Sequence, residues 1–118
     1  MTSEQLKLRT RKFAIDVIKL VEYIPKSTST NIIANQLLRS ATSVGANYRA
    51  ACRVRSTADF ISKITIVEEE ADESQYWIEL LMEINFGIKS KAEPLLNEAA
   101  QLTAIFTSSG KTAKTNRR

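Results

Sequence analysis

From Ser56 to Phe86 the chain runs without glycine or proline, and its small or apolar side chains fall at Phe60, Ile64, Val67, Ala71, Ser74, Ile78 and Leu81. The intervals alternate between four and three residues, the rhythm of a helical seam; a half-buried strand would alternate every second residue. A helix of that length, roughly 45 Å at 1.5 Å per residue, has to bury its seam against other helices. The pattern predicts a helix over 57–86 and an all-α architecture.

The same rhythm recurs on either side. Leu6, Phe13, Val17, Leu20 and Ile24 form one stripe of a helix over 4–23, and Ala14, Ile18 and Val21 form a second beside it. An apolar face that broad exceeds what one neighbour needs, so this helix is expected to be central or partly engaged in a contact between copies. Pro25 ends it. The Lys26–Asn31 turn is rich in N-cap residues and leads into a helix over 29–53, with the stripe Ile33, Leu37, Ala41, Val44, Tyr48 and Ala51. Small residues crowd its middle, Gly45 among them. A glycine there costs ~1 kcal/mol relative to alanine, which close approach of another helix would offset. Asn47 lies beside the stripe and needs a hydrogen-bond partner if buried.

Ser56 and Asp59 resemble a weak capping box for the third helix, and Gly87 suits a left-handed C-terminal cap. Ser90 and Glu93 fit the start of a fourth helix over 92–109, striped by Leu95, Ala99, Leu102 and Phe106, with Pro94 in its first turn. Residues 111–118 read as a flexible basic tail. Short connections force antiparallel neighbours, so residues 1–110 are expected to form an up-down-up-down four-helix bundle.

Composition narrows the chemistry. The 118 residues suffice for one domain, and three glycines with two prolines are too few for the turns of an all-β fold. Cys52 is the single cysteine, which points to a reducing, cytoplasmic compartment. No stretch approaches the ~20 apolar residues of a membrane span. The chain has no histidine, which removes Ser-His-Asp and Cys-His catalysis, the usual zinc sets and the Glu-x-x-His signature of di-iron bundles.

Charge is unevenly distributed. The net charge is +4, but residues 1–55 carry ten Lys/Arg against three Asp/Glu, whereas 56–93 carry three against nine. Three explanations stand: basic helices packed beside an acidic one, a nucleic-acid surface, or contact with an acidic protein. Lys7 and Arg11 are one turn apart on the first helix, as are Arg49 and Arg53 on the second, and Arg9, Lys12 and Arg55 add to them. These seven are the candidate phosphate contacts. No helix-turn-helix, zinc finger or aromatic stacking motif accompanies them.

The Glu68–Glu73 cluster has the one-turn spacing of a cation site, yet the second helix offers no carboxylate to complete one; a solvated or ion-paired face, or a protein contact, are the other readings. Trp77 is off the seam by one residue, at its edge or in a subunit contact. Cys52 reads as a small core or edge residue with no nearby base.

The stretch Gln36-Leu37-Leu38-Arg39-Ser40-Ala41-Thr42-Ser43-Val44-Gly45-Ala46-Asn47-Tyr48 resembles the most characteristic segment of a bacterial four-helix bundle family, named for proteins encoded in intervening sequences of 23S rRNA genes. Ile66 to Ser74 with Tyr76 to Leu81 is similar to the third helix of one of its subfamilies. The resemblance implies a ring-shaped homopentamer. It also brings in the accessory variability proteins of diversity-generating retroelements, which work with a reverse transcriptase and bind nucleic acid through basic surfaces. Arg39, Ser43 and Asn47 match the family pattern and look like fold or assembly determinants. Ala50 stands where many relatives carry a glutamate, so no role resting on that carboxylate carries over.

The expectation is therefore a non-enzymatic, self-associating scaffold without metal or cofactor, binding RNA or DNA. The alternative is a structural or protein-interaction module with no nucleic-acid role.

Overall fold

The structure, a computed structural model, describes residues 1–116, with Phe86 described by its backbone alone. Four helices make up the described residues: α1 (Ser3–Tyr23), α2 (Thr28–Ala51), α3 (Thr57–Ile84) and α4 (Lys89–Asn116), with a 3-10 turn at Phe86–Ile88. No strand occurs among the described residues. Each helix packs on its sequence neighbour, and α4 closes back on α1 through the thinnest of the four seams; α1 and α3 sit diagonally across the core. The result is an antiparallel four-helix bundle, 50 × 20 × 20 Å.

Local chemistry explains most of the boundaries. Thr2 caps α1 with a reciprocal pair: the Gln5 N–H donates to Thr2 Oγ1 at 3.1 Å, and the Thr2 N–H to Gln5 Oε1 at 2.9 Å. Ile24, preceding Pro25, is extended at φ −70° and ψ 132° and stops the helix. Ser27 Oγ accepts from the Thr30 N–H, and Ser56 Oγ from the Asp59 N–H, opening α2 and α3.

The expected seam of α3 is buried from Ile64 through Leu81, while Phe60 is only half-buried. Its polar member is satisfied. Ser74 donates to the Glu70 carbonyl at 2.8 Å and lies 3.0 Å from Ser40 Oγ on α2, which pins the register of the two helices. The α1 stripe is buried as well, with Thr10 filling its gap between Leu6 and Phe13, whereas Ile18 of the second stripe is exposed.

Four boundaries differ from expectation by more than one residue. The second helix ends at Ala51 and not at 53. The third ends at Ile84, terminated by Asn85 at φ −140°, and Gly87 does not adopt a left-handed conformation; it lies inside the 3-10 turn that leads straight into α4. The fourth begins at Lys89 and runs through Pro94 and Gly110 to Asn116, so residues 111–116 are helical and not a flexible tail. Pro94 is exposed and removes only the hydrogen bond to the Ser90 carbonyl, near the helix start. Gly110 lies against α3: a Cβ there would sit 3.6 Å from Ile64 Cγ2, so packing carries the helix past the point where sequence periodicity fades. Arg117 and Arg118, the last of the expected tail, lie outside the described residues.

Candidate nucleic-acid interface

Up-down-up-down order brings the start of α1, the end of α2, the start of α3 and the end of α4 to one end of the bundle. A shallow dish of about 560 Å³ marks the meeting point, lined by Ser3, Cys52, Arg55, Thr57, Phe60 and Asn116, among others. The chain segments 1–12, 49–63 and 107–116 all reach this end, and together they carry ten Lys/Arg against only Glu4 and Asp59. Residues 64–86, which run away from it along α3, carry seven Asp/Glu and no Lys/Arg. The charge asymmetry of the sequence is thus an asymmetry in space: one basic end, one acidic helix.

The seven candidate phosphate contacts divide into two groups. Lys7 pairs with Glu4 at 3.0 Å, Lys12 with Asp16 at 2.6 Å, and Arg9 reaches across the α1–α4 seam. Arg9 Nε and Nη2 each donate to Glu98 at 2.7 Å, and Nη2 also donates to Gln101 at 2.8 Å. This fork holds the Arg9 guanidinium above its ordinary pKa, the hydrogen bonds to Glu98 being the main cause. The Lys12 ammonium is raised likewise, by its hydrogen bond to Asp16 and that carboxylate's charge. Arg9 is better described as a clamp between helices than as a group awaiting a ligand.

Arg11, Arg49, Arg53 and Arg55 are exposed, and their side chains have no ion-pair or hydrogen-bond partner among the described residues. Arg11 and Arg49 face each other across a groove of about 450 Å³ between α1 and α2, floored by Thr10, Ala14, Gly45 and Ala46. The small residues of α2 make that floor. A Cβ on Gly45 would sit 3.3 Å from Thr10 Oγ1, so the glycine permits α1 to lie this close. Arg53 and Arg55 occupy the turn between α2 and α3, beside the dish.

The residues expected to determine fold or assembly fall elsewhere. Asn47 Nδ2 donates to the Ser43 carbonyl at 3.0 Å and to Ser43 Oγ at 2.7 Å, a half-buried pair within α2. Arg39 bridges α2 to α3, donating to Glu70 Oε2 at 3.1 Å and to Glu73. Glu73 also accepts from Trp77 Nε1 at 2.9 Å, and the half-buried indole packs at the edge of the core. Glu68 accepts from Thr107 on α4. The acidic cluster is therefore partly an ion-paired and hydrogen-bonded flank, and no group of three residues suited to a metal occurs among the described residues.

Cys52 contacts the buried Tyr48, whose ring lies 5.2 Å from that of Phe106. Burial, then the hydrogen bond to Cys52, pushes the Tyr48 phenol well above its ordinary 10.0. Among the described residues, nothing in the basic end pairs a nucleophile with a base. Its exposed charged groups are mainly guanidinium and ammonium donors, a chemistry that can hold an anion.

The inter-helix clamps had no local signal in the sequence. Arg9 and Glu98 are 89 residues apart, and Arg39 pairs with Glu73 across 34; only the topology joins them.

A basic-ended antiparallel four-helix bundle is the class that fold and surface define. Residues 5–108 match the family model of the 23S rRNA-intervening sequence protein, and the chain belongs to that family. A crystal structure of a protein of unknown function from the S23 ribosomal protein family of Bacteroides thetaiotaomicron is similar to it, with 32% identity and a TM-score of 0.81. That likeness covers 89% of this chain and 97% of the other. No curated protein matches the chain. None of the four helices is long and apolar enough to cross a membrane among the described residues.

Proposed function

We propose that this protein is a non-enzymatic, self-associating cytoplasmic scaffold whose basic end binds the phosphate backbone of RNA or DNA. The carrying observation is the convergence on one end of Arg11, Arg49, Arg53 and Arg55, exposed and unpaired among the described residues, while carboxylates concentrate on α3. Guanidinium groups suit phosphate oxygens because their planar fork donates two parallel hydrogen bonds. The family's name associates its members with 23S rRNA intervening sequences, which favours RNA as one of the polyanions to test. With no base-reading motif at this end, the expected binding is insensitive to sequence and driven by counterion release.

Fluorescence anisotropy with labelled RNA and DNA duplexes of about 20 base pairs tests this. Affinity should fall with salt by a log–log slope of about −0.9 per phosphate neutralised. Replacing Arg11 and Arg49 with alanine should therefore flatten that slope by about 2. Replacing Arg9 should change it less, because Arg9 is already committed to Glu98. Undetectable affinity for both duplexes at low salt would refute the proposal.

A further inference from the structure

The dish at the basic end is built unlike the open surface around it. Its walls are apolar: Ala51 and Val54 at the end of α2, Phe60 on α3 and Ala113 on α4. Phe60 opens the α3 stripe yet is only half-buried, and its side chain lines the dish. At the floor lies Tyr48, 5% exposed, whose hydroxyl donates to Cys52 Sγ and has no other partner among the described residues. Sulfur is a weak acceptor, so an oxygen of a ligand can take its place. The rim is cationic. Arg55 stands there exposed and unpaired among the described residues, and no carboxylate lines the dish. Glu4, whose charge reaches Tyr48, is paired with Lys7 at 3.0 Å. The Ser3 and Thr57 N–H groups, in the first turns of α1 and α3, have no acceptor among the described residues. The closing carbonyls of α2 are engaged, since Tyr48, Ala50 and Ala51 accept from the Cys52, Arg53 and Val54 N–H groups. At the ends of α1, α2 and α3, what remains free is donors.

We propose that this dish holds one nucleoside 5′-phosphate, its base against Phe60 and its phosphate at Arg55 and the two free amides. The volume of about 560 Å³ falls within the ~300–1,000 Å³ of small-ligand sites. An inorganic anion would leave the apolar walls wet, and a purely apolar ligand would leave the rim donors unused. A flat ring joined to a phosphate satisfies both. Stacking on Phe60 accepts any base, so the site adds no sequence preference. Tyr48 donates to an oxygen of the same nucleotide. The group arrives either free or as an unpaired nucleotide at the end of a strand; the strand-borne form rests on the proposed nucleic-acid role, and the free form does not.

Calorimetric titration of the full chain with adenosine 5′-monophosphate (AMP), adenosine, ribose 5-phosphate and inorganic phosphate tests this. AMP should saturate below about 1 mM. Adenosine and ribose 5-phosphate should each bind about tenfold more weakly, one lacking the charge and the other the stacking face. Arg55→Ala and Phe60→Leu should each weaken AMP about tenfold. Arg55 is exposed, so its variant keeps the helicity of wild type even if the Phe60 variant does not. Inorganic phosphate binding as tightly as AMP, or AMP affinity unchanged in Arg55→Ala, overturns the inference. Duplexes with one unpaired 5′-phosphorylated adenosine, compared with blunt ones by anisotropy, separate the two sources. A several-fold preference for the unpaired end, removed by Arg55→Ala, assigns the dish to strand ends. AMP binding without that preference assigns it to the free nucleotide. If neither AMP binding nor an end preference is found, the inference fails, while binding of blunt duplexes leaves the proposed function standing. AMP binding without any duplex binding has the opposite meaning: the dish stands and the nucleic-acid role falls.

Discussion

Gly45 offers the sharpest test of how α1 and α2 pack. A Cβ there would lie 3.3 Å from Thr10 Oγ1 and 3.5 Å from both Thr10 C and Thr10 Cβ. Thr10 is 1% exposed, and its hydroxyl is tied to the Leu6 and Lys7 carbonyls at 2.8 and 3.1 Å, so it cannot swing away without losing those bonds. Two effects oppose each other in Gly45→Ala. Alanine gains about 1 kcal/mol from helix propensity. Forcing a methyl group into a filled contact costs about 1–3 kcal/mol. The net expected in wild type runs from neutral to a loss of about 2 kcal/mol, the difference of those two.

In a Thr10→Ala background the 3.3 Å contact disappears and the remaining 3.5 Å contacts are ordinary. There Gly45→Ala should stabilise by about 1 kcal/mol, its propensity gain alone. The double-mutant cycle should therefore show a coupling of about 1–3 kcal/mol. Urea unfolding followed by circular dichroism reads it, at one fixed protomer concentration because the proposed self-association would add to apparent stability. If Gly45→Ala stabilises equally in both backgrounds, with coupling below about 0.5 kcal/mol, the close approach of α1 is not what requires a glycine.

Gly110 is the counterpart. It too is inside a helix, but its added Cβ would meet Ile64 Cγ2 at a comfortable 3.6 Å, so Gly110→Ala should stabilise by up to about 1 kcal/mol in the same urea assay. A loss of stability would contradict the helical course of residues 111–116. Tyr48 governs the alkaline limit. Its phenol is held neutral in the folded state and has its ordinary pKa when unfolded, so its contribution is complete below pH 10.0 and disappears as pH rises from there through the raised native value. Tyr48→Phe keeps the ring against Phe106 and should blunt the fall in stability above that pH; superimposable alkaline limbs for variant and wild type would remove Tyr48 as the cause.

What the sequence determined on its own is what repeats within a few residues. The seam from Ile64 to Leu81, the stripes of α1 and α2, and the N-caps at Ser27 and Ser56 each arise from spacing or from a side chain bonding to backbone three residues away. Antiparallel order followed from the shortness of the connections. The tertiary structure decided the rest. Arg9, expected among the phosphate contacts, is bound to Glu98 because α4 folds back beside α1, and α4 outruns its own periodicity because Gly110 rests on Ile64. Asn85, at φ −140°, ends α3 in place of the left-handed cap expected at Gly87, because the 3-10 turn needs no reversal of hand. The basic end exists only once three distant segments are stacked, since charge acts through space whereas helical periodicity acts along the chain.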